Sequence, residues 1–161
     1  STLSIQLPVL GPGAKVGDYI PTYADGAERY ELAAKYLRDK GFKHVAIVSH
    51  SLGATMANYY LIKADDTSVK AWVFVGIING LEEMFRIKIP VLDVFGSKDW
   101  EITQVGAYER LKQINKVPGS QQVIVQNALH FFEGKEDELV QVIVRFLDQN
   151  FHSDGAGDTG K

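Results

Sequence analysis

Residues 45–54 have the sequence VAIVSHSLGA, in which an apolar, β-branched run passes directly into a small-x-Ser-x-Gly pattern. The run over 44–48 predicts a strand buried on both faces, and the residues after it predict a helix over 52–64. Ser49 and Gly53, two residues before and two after the central serine, are small enough for a tight, strained turn between strand and helix. This stretch therefore predicts a serine held at the carboxyl end of a parallel sheet.

The predicted turn gives Ser51 two chemical features. Its hydroxyl points away from the core, and the backbone N–H of Leu52 lies at a helix N-terminus, where the helix dipole favours a developing oxyanion. The pattern itself occurs often by chance, but the strand before it and the helix after it are the context that such a turn requires. We therefore predict that Ser51 is a nucleophile and Leu52 N–H an oxyanion donor.

A serine needs a base, and the base needs a third group to orient it. Asp99 follows the strand predicted over 90–95, and His130 follows the strand predicted over 122–125, so both lie at the same sheet edge as Ser51. Asp99 as orienting acid and His130 as general base are the predictions, although Asp99 also suits a helix cap and His130 a hydrogen-bonded loop. Asp93 is a weaker rival to Asp99, because a carboxylate in the middle of a strand is buried far from the edge.

Strands and helices alternate along most of the chain. An α/β fold follows, with a mostly parallel sheet, helices on both faces and a single domain over 1–151. Residues 152–161 are rich in Gly and Asp, and we expect them to form a flexible tail. Strands are predicted at 3–7, 44–48, 69–77, 90–95 and 122–125, and helices at 27–40, 52–64, 101–116 and 136–149.

Composition excludes several classes of protein. The 161 residues carry a net charge of −3 with interspersed signs, which argues against nucleic-acid binding. There are no cysteines, and the four histidines have no paired ligand spacing, so we expect no metal and no cofactor. No membrane span and no signal peptide are evident, which predicts a soluble chain and leaves its compartment open.

With these groups placed, the chain resembles the carboxyl-terminal two-thirds of an α/β hydrolase. Residues 48–54 are similar to that superfamily's nucleophile turn, residues 90–99 to its acid-bearing strand and loop, and residues 127–130 to its histidine loop. The segment 3–10 and the helix after it resemble a bacterial branch whose substrates are largely unassigned. The resemblance runs from Leu3 to about Phe151 and implies a serine esterase or lipase-like enzyme.

The chain departs from that superfamily at its beginning. Two or three strands, a helix and a His-Gly loop that donates a second oxyanion N–H precede the strand at Leu3–Leu7 in the family, which implies a truncated fold here. Three expectations follow: an oxyanion site with Leu52 as its only secure donor, a homodimer through the exposed Leu3–Leu7 edge strand, or a fragment of a longer protein.

The region over 78–85, where the family often inserts a lid, is short, which favours an open site for small or flexible acyl groups. Apolar walls for this pocket are expected from five side chains, with core or surface packing as the alternative, and His50 is expected to pack or to help line the pocket. The five are Met84, Phe85, Trp100, Phe131 and Phe132.

Two functions remain open at this point. One is hydrolysis of a small-molecule carboxylic ester by Ser51, His130 and Asp99 through an acyl-enzyme, with thioesters and amides served by the same groups. The other is a catalytically silent hydrolase-like domain used for binding or assembly, because a fold alone does not guarantee chemistry.

Overall fold

A four-stranded parallel sheet organises the part of the chain that the computed structural model describes, residues 1–64, 68–78 and 80–151. The strand order β1-β2-β3-β4 follows the chain, and every neighbouring pair is parallel. The predicted α/β class and parallel sheet are therefore confirmed. The strands are Val45–His50 (β1), Val69–Val75 (β2), Val91–Gly96 (β3) and Gln121–Val125 (β4).

Helices cover both faces of the sheet, as predicted. Helices that precede β1 or connect the strands pack on one face of the sheet, and the helix Glu136–Phe151, after the last strand, packs on the other. The helices are Tyr23–Asp39 (α1), Leu52–Leu61 (α2), Glu101–Val105 (α3), Ala107–Ile114 (α4) and Glu136–Phe151 (α5). Short 3-10 helices occupy Val16–Thr22 and Met84–Arg86.

The second strand shows why the sheet is buried on both sides. Trp72 and Phe74 project into the core beneath α1, α2 and α4, whereas Ala71 and Val73 project toward α5. All four side chains are fully buried. A strand covered on both faces is apolar at successive positions rather than at alternate ones, which is the pattern of residues 71–75.

The prediction of a strand at Leu3–Leu7 is wrong, because residues 1–11 form no strand. Ile5 and Leu7 instead pack against the core that α1 and α2 cover, and Arg29 of α1 donates a hydrogen bond to the carbonyl of Gln6. Ile5 and Leu7 are thus partly buried against this core without strand pairing, whereas Leu3 is exposed. The predicted homodimer consequently has no edge strand at these residues, and within the described chain the margins of the sheet are β1 and β4.

The single helix predicted over 101–116 is broken at Gly106 into α3 and α4. Arg110 explains the break: its Nη1 donates to the carbonyl of Thr103 at 2.8 Å, taking an acceptor that a continuous helix would use. A Cβ at Gly106 would lie 2.9 Å from that same Nη1. Residue 106 is therefore the place where the chain makes room for a buried guanidinium.

Ser49 shows why a serine stands where glycine is commoner in the motif. Its side chain is buried, its hydroxyl donates to the carbonyl of Val73 at 3.2 Å, and it accepts the indole N–H of Trp72 at 2.9 Å. A buried indole N–H needs an acceptor, and this hydroxyl supplies it. These two hydrogen bonds join β1 to β2 at the position two residues before Ser51.

Some predictions fall outside these observations. The tail expected at 152–161 lies outside the described residues, and the assignment of 1–151 as one domain remains a prediction. In the described segments, no helix combines the length and the apolar character needed to cross a membrane.

Replacing Ser49 with Ala is expected to lower the free energy of unfolding by about 1–3 kcal/mol, because the buried indole N–H of Trp72 loses its acceptor. Urea unfolding followed by circular dichroism measures the change. The matched control is the same substitution in a Trp72→Phe background, where no indole N–H remains and the cost should be smaller. An equal cost in both backgrounds would contradict this account.

Candidate functional site

Ser51 occupies the turn between β1 and α2. Its backbone has φ 53° and ψ −125°, a conformation that residues with a side chain rarely adopt. The Ser51 N–H donates to the carbonyl of Val75 at 2.8 Å, which fastens the turn to the end of β2. Leu52 is the first residue of α2, so its N–H belongs to the helix turn that has no intrahelical acceptor.

The loops after β3 and β4 are packed tightly together at the same sheet edge. Lys98 N–H donates to the carbonyl of Ala128 at 3.0 Å, and Asn127 N–H donates to Ser97 Oγ at 2.8 Å. A Cβ at Gly96 would lie 2.1 Å from the Ala128 carbonyl oxygen, so only glycine allows this approach. This close contact brings Asp99 on the first loop within reach of His130 on the second.

Three side chains form one continuous hydrogen-bonded chain at this edge. Nδ1 of His130 lies 2.6 Å from Oδ1 of Asp99, and Nε2 of His130 lies 2.9 Å from Oγ of Ser51. Because an ionised carboxylate only accepts hydrogen bonds, Nδ1 carries the proton and Nε2 is left to accept from the hydroxyl. His130 and Asp99 are 2% and 4% exposed, so the pair is shielded from water.

Asp93, the rival acid, lies elsewhere. It is fully buried, and its Oδ2 accepts hydrogen bonds from Nε of Arg110 and Nε2 of Gln122, each at 2.8 Å. Burial raises the pKa of Asp93, and the guanidinium of Arg110 opposes that rise. This carboxylate therefore joins α4 to the sheet and does not contact His130.

Aromatic rings surround the imidazole of His130. His50 is exposed on its outer side; its Nε2 lies 2.9 Å from the carbonyl oxygen of His130 and its ring centroid 4.8 Å from that imidazole. Phe131 meets the imidazole edge-on at 5.1 Å between centroids, and Trp100 stacks on it at 3.6 Å. Phe131 and Trp100 keep 60% and 47% of their surface exposed, so they form the rim of the site.

The other expected pocket residues lie apart from these rings. Met84 is 3% exposed and belongs to the core on the α2 side, and Phe132 is 2% exposed and belongs to the core under α5. Both follow the core-packing alternative rather than the pocket-wall prediction. Phe85 is 72% exposed at the surface.

Gly76 is a residue of the site that sequence reasoning missed. It follows β2 with φ +54°, and a Cβ there would lie 3.1 Å from Oδ2 of Asp99 and 3.2 Å from Nδ1 of His130. The absence of a side chain therefore makes room for the histidine–carboxylate pair. The available signal was a glycine inside the strand predicted over 69–77, which indicates a close approach of other groups.

Within the described chain, no group of three or more His, Asp or Glu side chains is arranged to hold a metal ion. The chemistry available to the site from these residues is that of a hydroxyl, an imidazole, a carboxylate and a helix N-terminus.

Comparison with known proteins connects this architecture to one fold. No family model and no curated protein matches the sequence. Among solved structures, a predicted CIB-like hydrolase from Thermoplasma acidophilum is 24% identical with a TM-score of 0.62, and the match covers 79% of this chain and 60% of that one. An α/β serine hydrolase without a lid from Xanthomonas campestris is 14% identical with a TM-score of 0.62, over 76% of this chain and 56% of that one.

A third structure, from work on carboxylesterases of Nitrososphaera gargenis, is 11% identical with a TM-score of 0.64, over 81% of this chain and 73% of that one. The described part of the chain thus has the α/β-hydrolase fold. It spans about 60% of the length of the first two structures. At these identities the likeness concerns the fold.

Acid is expected to destabilise the wild-type protein more than the His50→Gln variant. Partial burial, and to a smaller extent the charge of His130, hold the pKa of His50 below its ordinary value of 6.5, although the hydrogen bond to the His130 carbonyl and the charge of Asp99 oppose this. The unfolded chain therefore binds a proton at higher pH than the folded one, so this contribution to stability is complete above pH 6.5 and is lost as the pH falls. Gln keeps an N–H donor and cannot titrate.

The urea midpoint measured across this pH range tests that expectation. The wild-type curve should fall more steeply than the variant curve, and parallel curves would be evidence against a depressed pKa at this residue.

Gly76→Ala is expected to cost more stability than Gly41→Ala. Both glycines have positive φ, at +54° and +88°, but a Cβ at Gly41 would meet no atom within 4 Å. Gly41→Ala therefore carries only the backbone cost, about 1–2 kcal/mol, whereas Gly76→Ala also displaces Asp99 and His130. Urea unfolding of both variants measures the difference in stability. Equal costs would mean that Asp99 and His130 move aside without an energetic penalty.

Proposed function

We propose that this protein is a serine hydrolase that cleaves carboxylic esters of small or flexible acyl groups through an acyl-enzyme. The observation that carries the proposal is the chain of two hydrogen bonds, 2.9 Å from Ser51 Oγ to His130 Nε2 and 2.6 Å from His130 Nδ1 to Asp99 Oδ1. These are the hydrogen-bond lengths expected between a serine nucleophile, its general base and the acid that orients the base.

In the proposed reaction, Ser51 Oγ attacks the ester carbonyl while His130 Nε2 takes its proton. Asp99 keeps the second imidazole proton on Nδ1 and stabilises the imidazolium. His130 then gives its proton to the departing alcohol, which leaves an ester between Ser51 and the acyl group. Water that gives a proton to His130 attacks this ester, and return of the proton to Ser51 frees the acid.

The developing oxyanion is assigned to the N–H of Leu52, because it stands at the start of α2 directly after the nucleophile. The loss of one oxyanion donor typically lowers the rate about 10²–10³-fold. If Leu52 acts alone, turnover is slow, and covalent labelling detects the activated serine more sensitively than turnover does.

Three structural neighbours support the hydrolytic assignment at the level of class. They are a predicted CIB-like hydrolase, an α/β serine hydrolase without a lid and a structure from work on carboxylesterases. The absence of a lid in the second of these proteins is consistent with an open site for small or flexible acyl groups here. Among the described residues between β2 and β3, the one helical element is the 3-10 helix Met84–Arg86.

A fluorophosphonate probe followed by peptide mapping is expected to label Ser51 in the wild-type protein. Ser51→Ala should abolish both labelling and release of p-nitrophenol from a short-chain p-nitrophenyl ester. The control variant Ser4→Ala, at an exposed serine near the start of the chain, should change neither. Asp99→Asn should lower kcat about 10³–10⁴-fold, because the imidazole adopts the wrong tautomer.

Circular dichroism and urea unfolding establish that each variant is folded. A folded wild-type protein that is not labelled, or whose ester hydrolysis equals that of Ser51→Ala, would contradict the proposed activity. The catalytically silent binding or assembly domain would then be the function that remains.

A further inference from the structure

Trp100 covers the face of the imidazole that performs the proposed proton transfer. The two rings are nearly parallel, with 12° between their planes and 3.6 Å between their centroids. The indole is 47% exposed, whereas His130 beneath it is 2% exposed. One side of Trp100 thus faces solvent and the other excludes solvent from the imidazole.

The backbone of Trp100 is fixed by the same carboxylate that holds the imidazole. Its N–H donates to Oδ1 of Asp99 at 2.6 Å, the atom that also lies 2.6 Å from His130 Nδ1. Its carbonyl accepts from the N–H groups of Thr103 and Gln104 at the start of α3. The backbone that carries the indole is therefore held by hydrogen bonds through both its N–H and its carbonyl.

We propose that Trp100 is a positioning residue: its indole holds the plane of the His130 imidazole between Ser51 and Asp99 and stabilises the imidazolium formed when His130 takes the serine proton. This inference rests on the proposed function. An aromatic face attracts a cation within about 6 Å of its centroid, and the attraction is strongest where water is excluded. The charge appears only after proton transfer, so the interaction strengthens along the reaction.

The competing role for Trp100 is the pocket wall expected from the sequence. A wall contacts the substrate in the ground state and the transition state alike, so its removal raises KM. A residue that acts on His130 alone changes kcat instead. The ratio of the two kinetic effects therefore separates the roles.

Kinetics of Trp100→Leu and Trp100→Phe with a p-nitrophenyl ester provide the first test. Loss of the aromatic face in the leucine variant should lower kcat about 5- to 30-fold, which corresponds to about 1–2 kcal/mol, with KM unchanged. The phenylalanine variant keeps a π face and should recover most of the loss. A raised KM with unchanged kcat, or equal losses in both variants, would overturn the proposal.

Fluorescence provides a second test that needs no enzymatic activity. The chain has two tryptophans, so Trp72→Phe leaves Trp100 as its one indole. A protonated imidazole stacked on an indole quenches its emission, so we expect a fluorescence transition in which the intensity rises with pH. The titratable neighbours are Asp99 and His50, whose ring lies 4.8 Å from that of His130.

The transition should persist when His50→Gln is added and disappear when His130→Gln is added. A transition that survives His130→Gln, or no transition in a folded protein, would overturn the stack. Inactivity towards esters together with an intact fluorescence transition would overturn the proposed function while supporting the contact, so the two failures are distinguishable.

Discussion

The site depends on the hydrogen bond between His130 and Asp99, because this bond joins the loop after β3 to the loop after β4. It is 2.6 Å long and withdrawn from water, so little solvent competes for either group. Two glycines make this approach feasible: Gly96 lets the loops touch, and Gly76 leaves space beside the pair. The third group, Ser51, reaches the imidazole because its own turn is forced into a strained conformation.

Most of the fold and the identity of the three polar side chains were predictable from the sequence. Parallel strands buried on both faces have an apolar pattern that stands out, and β2 and β3 display it clearly. Because the carboxyl ends of parallel strands share one edge, the positions of Ser51, Asp99 and His130 directly after strands were sufficient to predict their proximity. The proximity of the three side chains thus follows from the strand topology alone, without information about side-chain packing.

The errors arose where tertiary contacts decide the outcome. Leu3–Leu7 alternates apolar and polar residues as an edge strand would, but Ile5 and Leu7 pack against the core that α1 and α2 cover instead. The break at Gly106 depends on a guanidinium that approaches from four residues away. The stacking of Trp100 on His130 and the burial of Met84 could not be predicted either, because local periodicity contains no information about these contacts.

The agreement between strand order and chain order has a consequence for biosynthesis. A chain made from its N-terminus produces the serine turn with β1, the carboxylate loop after β3 and the histidine loop only after β4. Each strand can add to the growing sheet as it leaves the ribosome, next to the one made just before it. The hydroxyl therefore has no imidazole beside it until all four of these strands have been synthesised, so the three side chains meet only when the described sheet is complete.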